Sequence, residues 1–264
     1  MGAGSPLWYT SRGLGLVLLL VLTVSVVLGV LTSERWRTAE GPRFMTAGLH
    51  RSLSLLAVPL LALHGLTVLL DPFARFGLAD VTIPFASAYR PLWLGLGVLS
   101  GELLLAIVVT SLVRAVIGFG AWRLVHWAAY VAWPLALLHG LGTGSDTKAG
   151  WALLLYGGSL VAVLVAVLVR LLGGPGRQRP WRVWLAVLAS VGAVAAVAWT
   201  VAGPLQPGWA RTAGTPPALL GGSAAVDPLG AGAAQASLRP DRLPVSTTAV
   251  PTSAQAPSTS QGSS

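Results

Sequence analysis

The chain has no cysteine and very little charge: Asp, Glu, Lys and Arg together make up 9% of 264 residues. Without cysteine there are no disulfides, no thiolate-held clusters and no C-x-x-C-H attachment of c-type haem. A soluble domain carries roughly 25% charged residues, so a chain that is 54% hydrophobic with a mean hydropathy of +0.74 is an integral membrane protein. The charge it does carry is one-sided, 17 basic residues against 8 acidic ones, and Lys148 is the single lysine. In a soluble protein that excess would suggest nucleic acid. Here the arginines cluster beside apolar runs, so lipid headgroups and topology account for them and no nucleic-acid partner is expected.

A helix needs about 20 mostly apolar residues to cross a bilayer. Six segments meet that length, near 14–32, 48–70, 91–113, 122–142, 151–171 and 183–203. The expected fold is all-α: a polytopic bundle of six transmembrane helices. The first run is followed by Glu34-Arg35-Trp36-Arg37 with no A-x-A-like site, so it reads as a spanning helix and not a secretory leader. Residues 71–90 form the one long connection, semi-apolar and aromatic, expected to lie over the bundle. From Pro204 onward Pro, Ser, Thr, Ala and Gly dominate, and 204–264 is expected to be a disordered tail. The chain thus divides into 1–43, a core at 44–172, a loop and sixth helix at 173–203, and the tail.

Ten basic residues fall on the connections 1–2, 3–4 and 5–6, against five near spans on the other side. The positive-inside rule then puts both termini outside the cytoplasm, in a multi-pass protein of the cell (plasma) membrane. Trp8, Trp36, Trp93, Trp122, Trp151, Trp181 and Trp209 sit near helix ends and are expected to anchor at headgroups.

All four histidines lie in or beside apolar segments, as two pairs: His50 and His64 fourteen apart, His126 and His139 thirteen apart. Ionisable residues inside a membrane are expensive and mark function. Fourteen residues rise roughly 21 Å and return within about 40° of the starting direction, so His50 and His64 share a face. Thirteen residues leave His126 and His139 about 140° apart on an ideal helix, and Pro134 between them is expected to kink it and re-aim the second ring. The two pairs occupy matching depths on co-directional spans. That layout suits two stacked haems, which without cysteine must be b-type, gripped by imidazole. Zinc would need three or four ligands around one point.

The stretch TSLVRAVIGFGAWRLVHWAAYVAWPLALLHGLGTGSD, with its S-x-x-R, W-R-x-x-H and H-G elements, resembles the ferric reductase-like transmembrane domain. That superfamily includes the membrane halves of ferric reductases and NADPH oxidases and the haem subunit of a methionine sulfoxide reductase system. The segment PFASAYRPLW is similar to its actinobacterial members, and the resemblance covers about 44–172. It implies that His50 and His126 ligate an inner haem, and His64 and His139 an outer one. It implies single-electron transfer from the cytoplasmic side to an extracytoplasmic acceptor. No G-x-G-x-x-G or P-loop follows the sixth segment, so donation by a separate flavoprotein carrying FAD or FMN, or by a quinol, is expected. A quinol-linked haem subunit of a reductase complex and a haem-free membrane scaffold are the alternatives.

Arg51, Arg114 and Arg123 lie at the level of His50 and His126 and are candidates to meet haem propionates, with Arg90 comparable on the other side. Ordinary positive-inside anchoring is the simpler reading of the first three. Glu102 is the one acid within a predicted span, read as a protonated structural group or a proton carrier near a quinone. Trp133, midway between two histidines, is read as packing before any part in electron transfer. Gly95, Gly97 and Gly101 suggest close approach of a helix or macrocycle.

Overall fold

The computed structural model describes residues 5–33, 43–72, 75–173 and 179–220. Among them every regular element is helical. The long ones are α1 (Pro6–Ser33), α2 (Arg43–Leu70), α4 (Pro91–Leu112), α7 (Gly150–Leu172) and α8 (Pro180–Ala202). Between them lie the short α3 (Leu78–Thr82) and the pair α5 (Arg114–His126) and α6 (Ala129–Thr143), with α9 (Trp209–Thr212) after the last span. Among the described residues five helices are long and apolar enough to cross a membrane, or up to six if the α5–α6 pair is one bent span. Proline opens α1, α4 and α8, where its missing N–H costs nothing, and glycine follows α6, α7 and α8.

The α5–α6 pair bends by 44°. The break falls at Trp127–Ala128 and not at Pro134, which is accommodated within α6. Around the break the backbone switches to i→i−3 bonds: Ala128 donates to Val125, and Tyr130 to Trp127. This tighter turning re-aims everything after His126.

Helix α1 is the spine. It packs along α2 on one side and against α6 and α7 on the other, while α4 pairs with α6 and α5, and α7 with α8. One core cluster (Leu19, Trp133, Leu137, Leu141, Tyr156, Val163) knits α1, α6 and α7; a second (Leu18, Ala57, Leu104, Val108) knits α1, α2 and α4. Lipid tails are as apolar as leucine, so close fit and cross-helix hydrogen bonds carry this association, the latter averaging about 0.6 kcal/mol each. Trp133 Nε1 donates to Thr23 Oγ1 at 2.9 Å, and Ser100 Oγ to the Ala132 carbonyl at 2.8 Å.

The two ends of the bundle differ. At the basic end, Arg170 bonds the Ser33 side chain and Arg182 donates to the Arg170 carbonyl. At the opposite, capped end, an ion pair between Arg12 and Asp146 ties α1 to the α6–α7 connection. Residues 204–220, expected to be disordered, fold back here instead. Pro204 is fully buried. Trp209 joins Trp93 and Trp199 in an aromatic cluster with ring centroids 4.6–5.7 Å apart. Trp209 Nε1 also donates to the Gly142 carbonyl at 3.1 Å. Two apolar anchors suffice to hold a short segment that has no apolar run of its own. The same expectation for 221–264 lies outside the described residues. So does the anchoring role expected of Trp36; Trp151 and Trp181 are exposed at span ends as anchors should be, whereas Trp93 and Trp209 are turned inward.

Candidate functional site

The four imidazoles meet as two facing couples. His50 and His126 have ring centroids 6.1 Å apart with planes at 79°; His64 and His139 are 6.3 Å apart at 84°. The first couple lies toward the basic end and the second toward the capped end. The rings bridge α2 to the α5–α6 span, and each couple joins one histidine from each.

Three of the four rings are held by one recurring device. His64 Nδ1 donates to the Ser11 carbonyl at 2.8 Å, His50 Nδ1 to the Ser25 carbonyl at 2.8 Å, and His139 Nδ1 to the Trp93 carbonyl at 2.9 Å. A carbonyl only accepts, so Nδ1 carries the proton in each, and Nε2 is left as a bare lone pair. In every case a glycine stands four residues after the accepting carbonyl: Gly15, Gly29 and Gly97. A helical side chain leans toward the N-terminus and covers the carbonyl one turn back. Glycine uncovers it, and the ring occupies the space. A methyl group at Gly15 or Gly29 would lie 3.1 Å from the Cε1 of His64 or His50, and one at Gly97 only 2.3 Å from His139 Nδ1.

This device was written in the sequence and was missed by reasoning on the histidines alone. Ser11-x-x-x-Gly15 and Ser25-x-x-x-Gly29 repeat at fourteen residues, the spacing of His64 and His50 on the antiparallel neighbour. Of the three helix-four glycines singled out for close approach, Gly97 receives the His139 ring. Gly95 faces Phe85 and Gly101 faces Leu61.

His126 differs. Its buried Nδ1 has no hydrogen-bond partner among the described residues. The ring instead stacks on Trp122, at 4.9 Å and 29°, and Trp122 Nε1 is tied to Ser111 Oγ at 3.0 Å.

In the His64–His139 couple both protons are committed to carbonyls, so neither ring can donate to the other and each keeps a free Nε2 lone pair, able to ligate a metal. Two imidazoles sharing one metal ion through bonds of about 2.0–2.1 Å would place their centroids roughly 6.3 Å apart, which both couples match. No group of three or more His, Cys, Asp or Glu side chains among the described residues is arranged to hold a metal. Each couple thus offers two imidazole ligands, and a metal held there would need to bring its remaining ligands with it, as a haem does. A cavity of about 650 Å³ adjoins His64 and His139, within the roughly 300–1,000 Å³ usual for cofactor sites. Its walls are mostly apolar, among them Leu18, Leu61, Leu94, Val98, Phe76 and Tyr89. The 71–90 connection therefore forms part of its roof. The donor set, the ring separation and the cavity all fit a haem.

Arg51, Arg114 and Arg123 are exposed at the basic end. Arg114 lies 6.0 Å over the Trp122 ring that stacks on His126, and Arg123 lies 5.6 Å over Phe119. Arg90 is buried at the capped end, donating to the Gly142 carbonyl and to Thr215 Oγ1, each at 2.9 Å, with its own backbone held at φ 44° by a bond to the Gly214 carbonyl. Burial lowers its guanidinium pKa and raises that of the adjacent Tyr89 phenol. Glu102 lines the cavity. Trp133 is buried in the cluster that joins α1, α6 and α7 and donates to Thr23. The Gly140–Gly144 run ends α6, with Gly144 as its cap.

No protein-family model, curated protein or solved structure matches this chain.

Proposed function

We propose that the two imidazole couples hold two b-type haems and that the chain passes single electrons through the bilayer between them. One observation carries this reading: at the capped end, two imidazoles whose Nδ1 protons are committed to carbonyls, leaving each Nε2 a bare lone pair, stand with ring centroids 6.3 Å apart beside a cavity. Haem supplies the one-electron chemistry when bound. His50, His64, His126 and His139 would hold it, and the carbonyls of Ser11, Ser25 and Trp93 fix the orientation of three of those rings and would raise their basicity as ligands. The fourteen-residue interval keeps the layers roughly 21 Å apart along the helix.

The positive-inside bias makes the basic end cytoplasmic and sets the direction outward, in the plasma membrane. The resemblance of 44–172 to ferric reductase-like membrane domains points the same way, toward a separate flavoprotein or quinol donor inside and an acceptor outside. Arg51, Arg114 and Arg123, exposed at the basic end, would meet propionates of the inner group, and Arg90 is buried at the other end.

The test is haem stoichiometry of the purified protein by pyridine haemochrome. Two haems per chain, falling to about one in His64→Ala or His139→Ala with the inner spectrum retained, is the expected result. A protein purified without a Soret band would instead select the scaffold reading.

A further inference from the structure

The orphaned His126 has a local explanation. By the pattern that serves the other three rings, its acceptor would lie on α4, one histidine interval beyond Trp93 and Gly97. Fourteen residues on stand Ile107 and Ser111; thirteen on stand Ala106 and Thr110. Both carbonyls are taken by the side chain four residues later. Ser111 Oγ donates to the Ile107 carbonyl at 2.6 Å and Thr110 Oγ1 to the Ala106 carbonyl at 2.7 Å. Where glycine opens the carbonyl to an imidazole, a hydroxyl closes it.

The helix that carries His126 is also lightly held. None of the residues of α5 is buried, and α4 is its principal neighbour. Gly118 interrupts it at φ 81° with open space around its Cα, and the i→i−3 break follows His126 directly. Stacking on Trp122 holds the plane of the ring but fixes neither its tautomer nor its distance from His50. The three other rings sit on continuous stretches of α2 and α6, pinned to neighbouring backbone.

We infer that the inner couple is a ligand-exchange site, at which His126 withdraws and a small neutral diatomic takes its place opposite His50. This rests on the haem reading above. In the exchange the bond from His126 Nε2 to iron breaks and one from the incoming ligand atom forms. No electron or proton is transferred, and the imidazole leaves neutral. Loss of a ligand's outer hydrogen bond weakens metal binding by about 10–100-fold, and of the four axial ligands only His126 lacks that bond. The outer couple, with both bonds made, stays closed.

Carbon monoxide added to the dithionite-reduced full chain in detergent tests this. The expected result is one carbon monoxide per two haems, with a binding rate that levels off at high gas concentration because His126 must leave first. His126→Ala should lose the levelling and open no second site, whereas His139→Ala, left with the inner haem alone, should still bind one carbon monoxide with the levelling intact. Two haems that bind no carbon monoxide would overturn this inference alone, and so would uptake of two by His126→Ala, since the open site would then be the outer one. The wild-type stoichiometry and rate decide the matter even if a variant fails to fold. A chain without haem overturns both this inference and the reading beneath it.

Discussion

Replacing Gly97 by alanine tests the carbonyl-and-glycine device most directly. The added methyl would sit 2.3, 2.5 and 2.7 Å from Nδ1, Cε1 and Cγ of His139. The ring must retreat by roughly 1 Å to reach ordinary contact, about twice the 0.5 Å tolerance of a working ligand set. Retreat stretches or breaks the Nδ1 bond to the Trp93 carbonyl, worth about 10–100-fold in metal affinity. Overpacking adds about 1–3 kcal/mol. Together these weaken the outer site by about 2–6 kcal/mol, on the order of 10²–10⁴-fold. Gly15→Ala and Gly29→Ala meet their rings at 3.1 Å, so a shift of a few tenths of an ångström absorbs them. Gly13→Ala, with nothing within 4 Å, is the control on the same helix. Pyridine haemochrome should give two haems per chain for the wild type and for positions 13, 15 and 29, and about one for Gly97→Ala. Two haems with an unaltered spectrum in Gly97→Ala would refute the reasoning.

Other measurements follow from the same geometry. The imidazole planes cross at 79° and 84°, so both ferric centres should give the strongly anisotropic low-spin resonance of perpendicular ligands; a rhombic spectrum of parallel rings would contradict the observed orientations. Thr215→Ala leaves the Nε of a buried cation without its acceptor and should destabilise the capped end by about 1–3 kcal/mol in denaturant unfolding, with haem content unchanged; no loss of stability would mean that Arg90 finds another partner. The Tyr89 phenol is held above its ordinary 10.0 by burial, so the folded state keeps a proton the unfolded chain releases. Stability is therefore fully present below that value and declines as pH rises past it, toward the folded pKa. Tryptophan fluorescence should report this alkaline loosening, and Tyr89→Phe should flatten it; an identical profile in the variant would assign the effect elsewhere.

Composition and run length alone determined that this is a helical membrane protein, because twenty apolar residues in lipid have no other way to satisfy their backbone. The histidine intervals likewise announced two layers, since rise per residue is fixed by helix geometry. What the intervals left undecided was direction. Thirteen residues put His126 and His139 on different faces of a straight helix, and only the bend at Trp127–Ala128 brings both toward α2. The carbonyl partners were equally a matter of tertiary structure. Ser11, Ser25 and Trp93 carry no chemical mark as acceptors; they become acceptors when α1 lies antiparallel to α2, α4 packs on α6, and a glycine one turn later lets the ring in. The fold-back of 204–220 was illegible for a related reason, since its order comes from Trp93, Trp199 and Arg90, residues far away in sequence that only the assembled bundle presents. Local physics sets the helices and their depth, and packing decides which backbone atoms each side chain can reach.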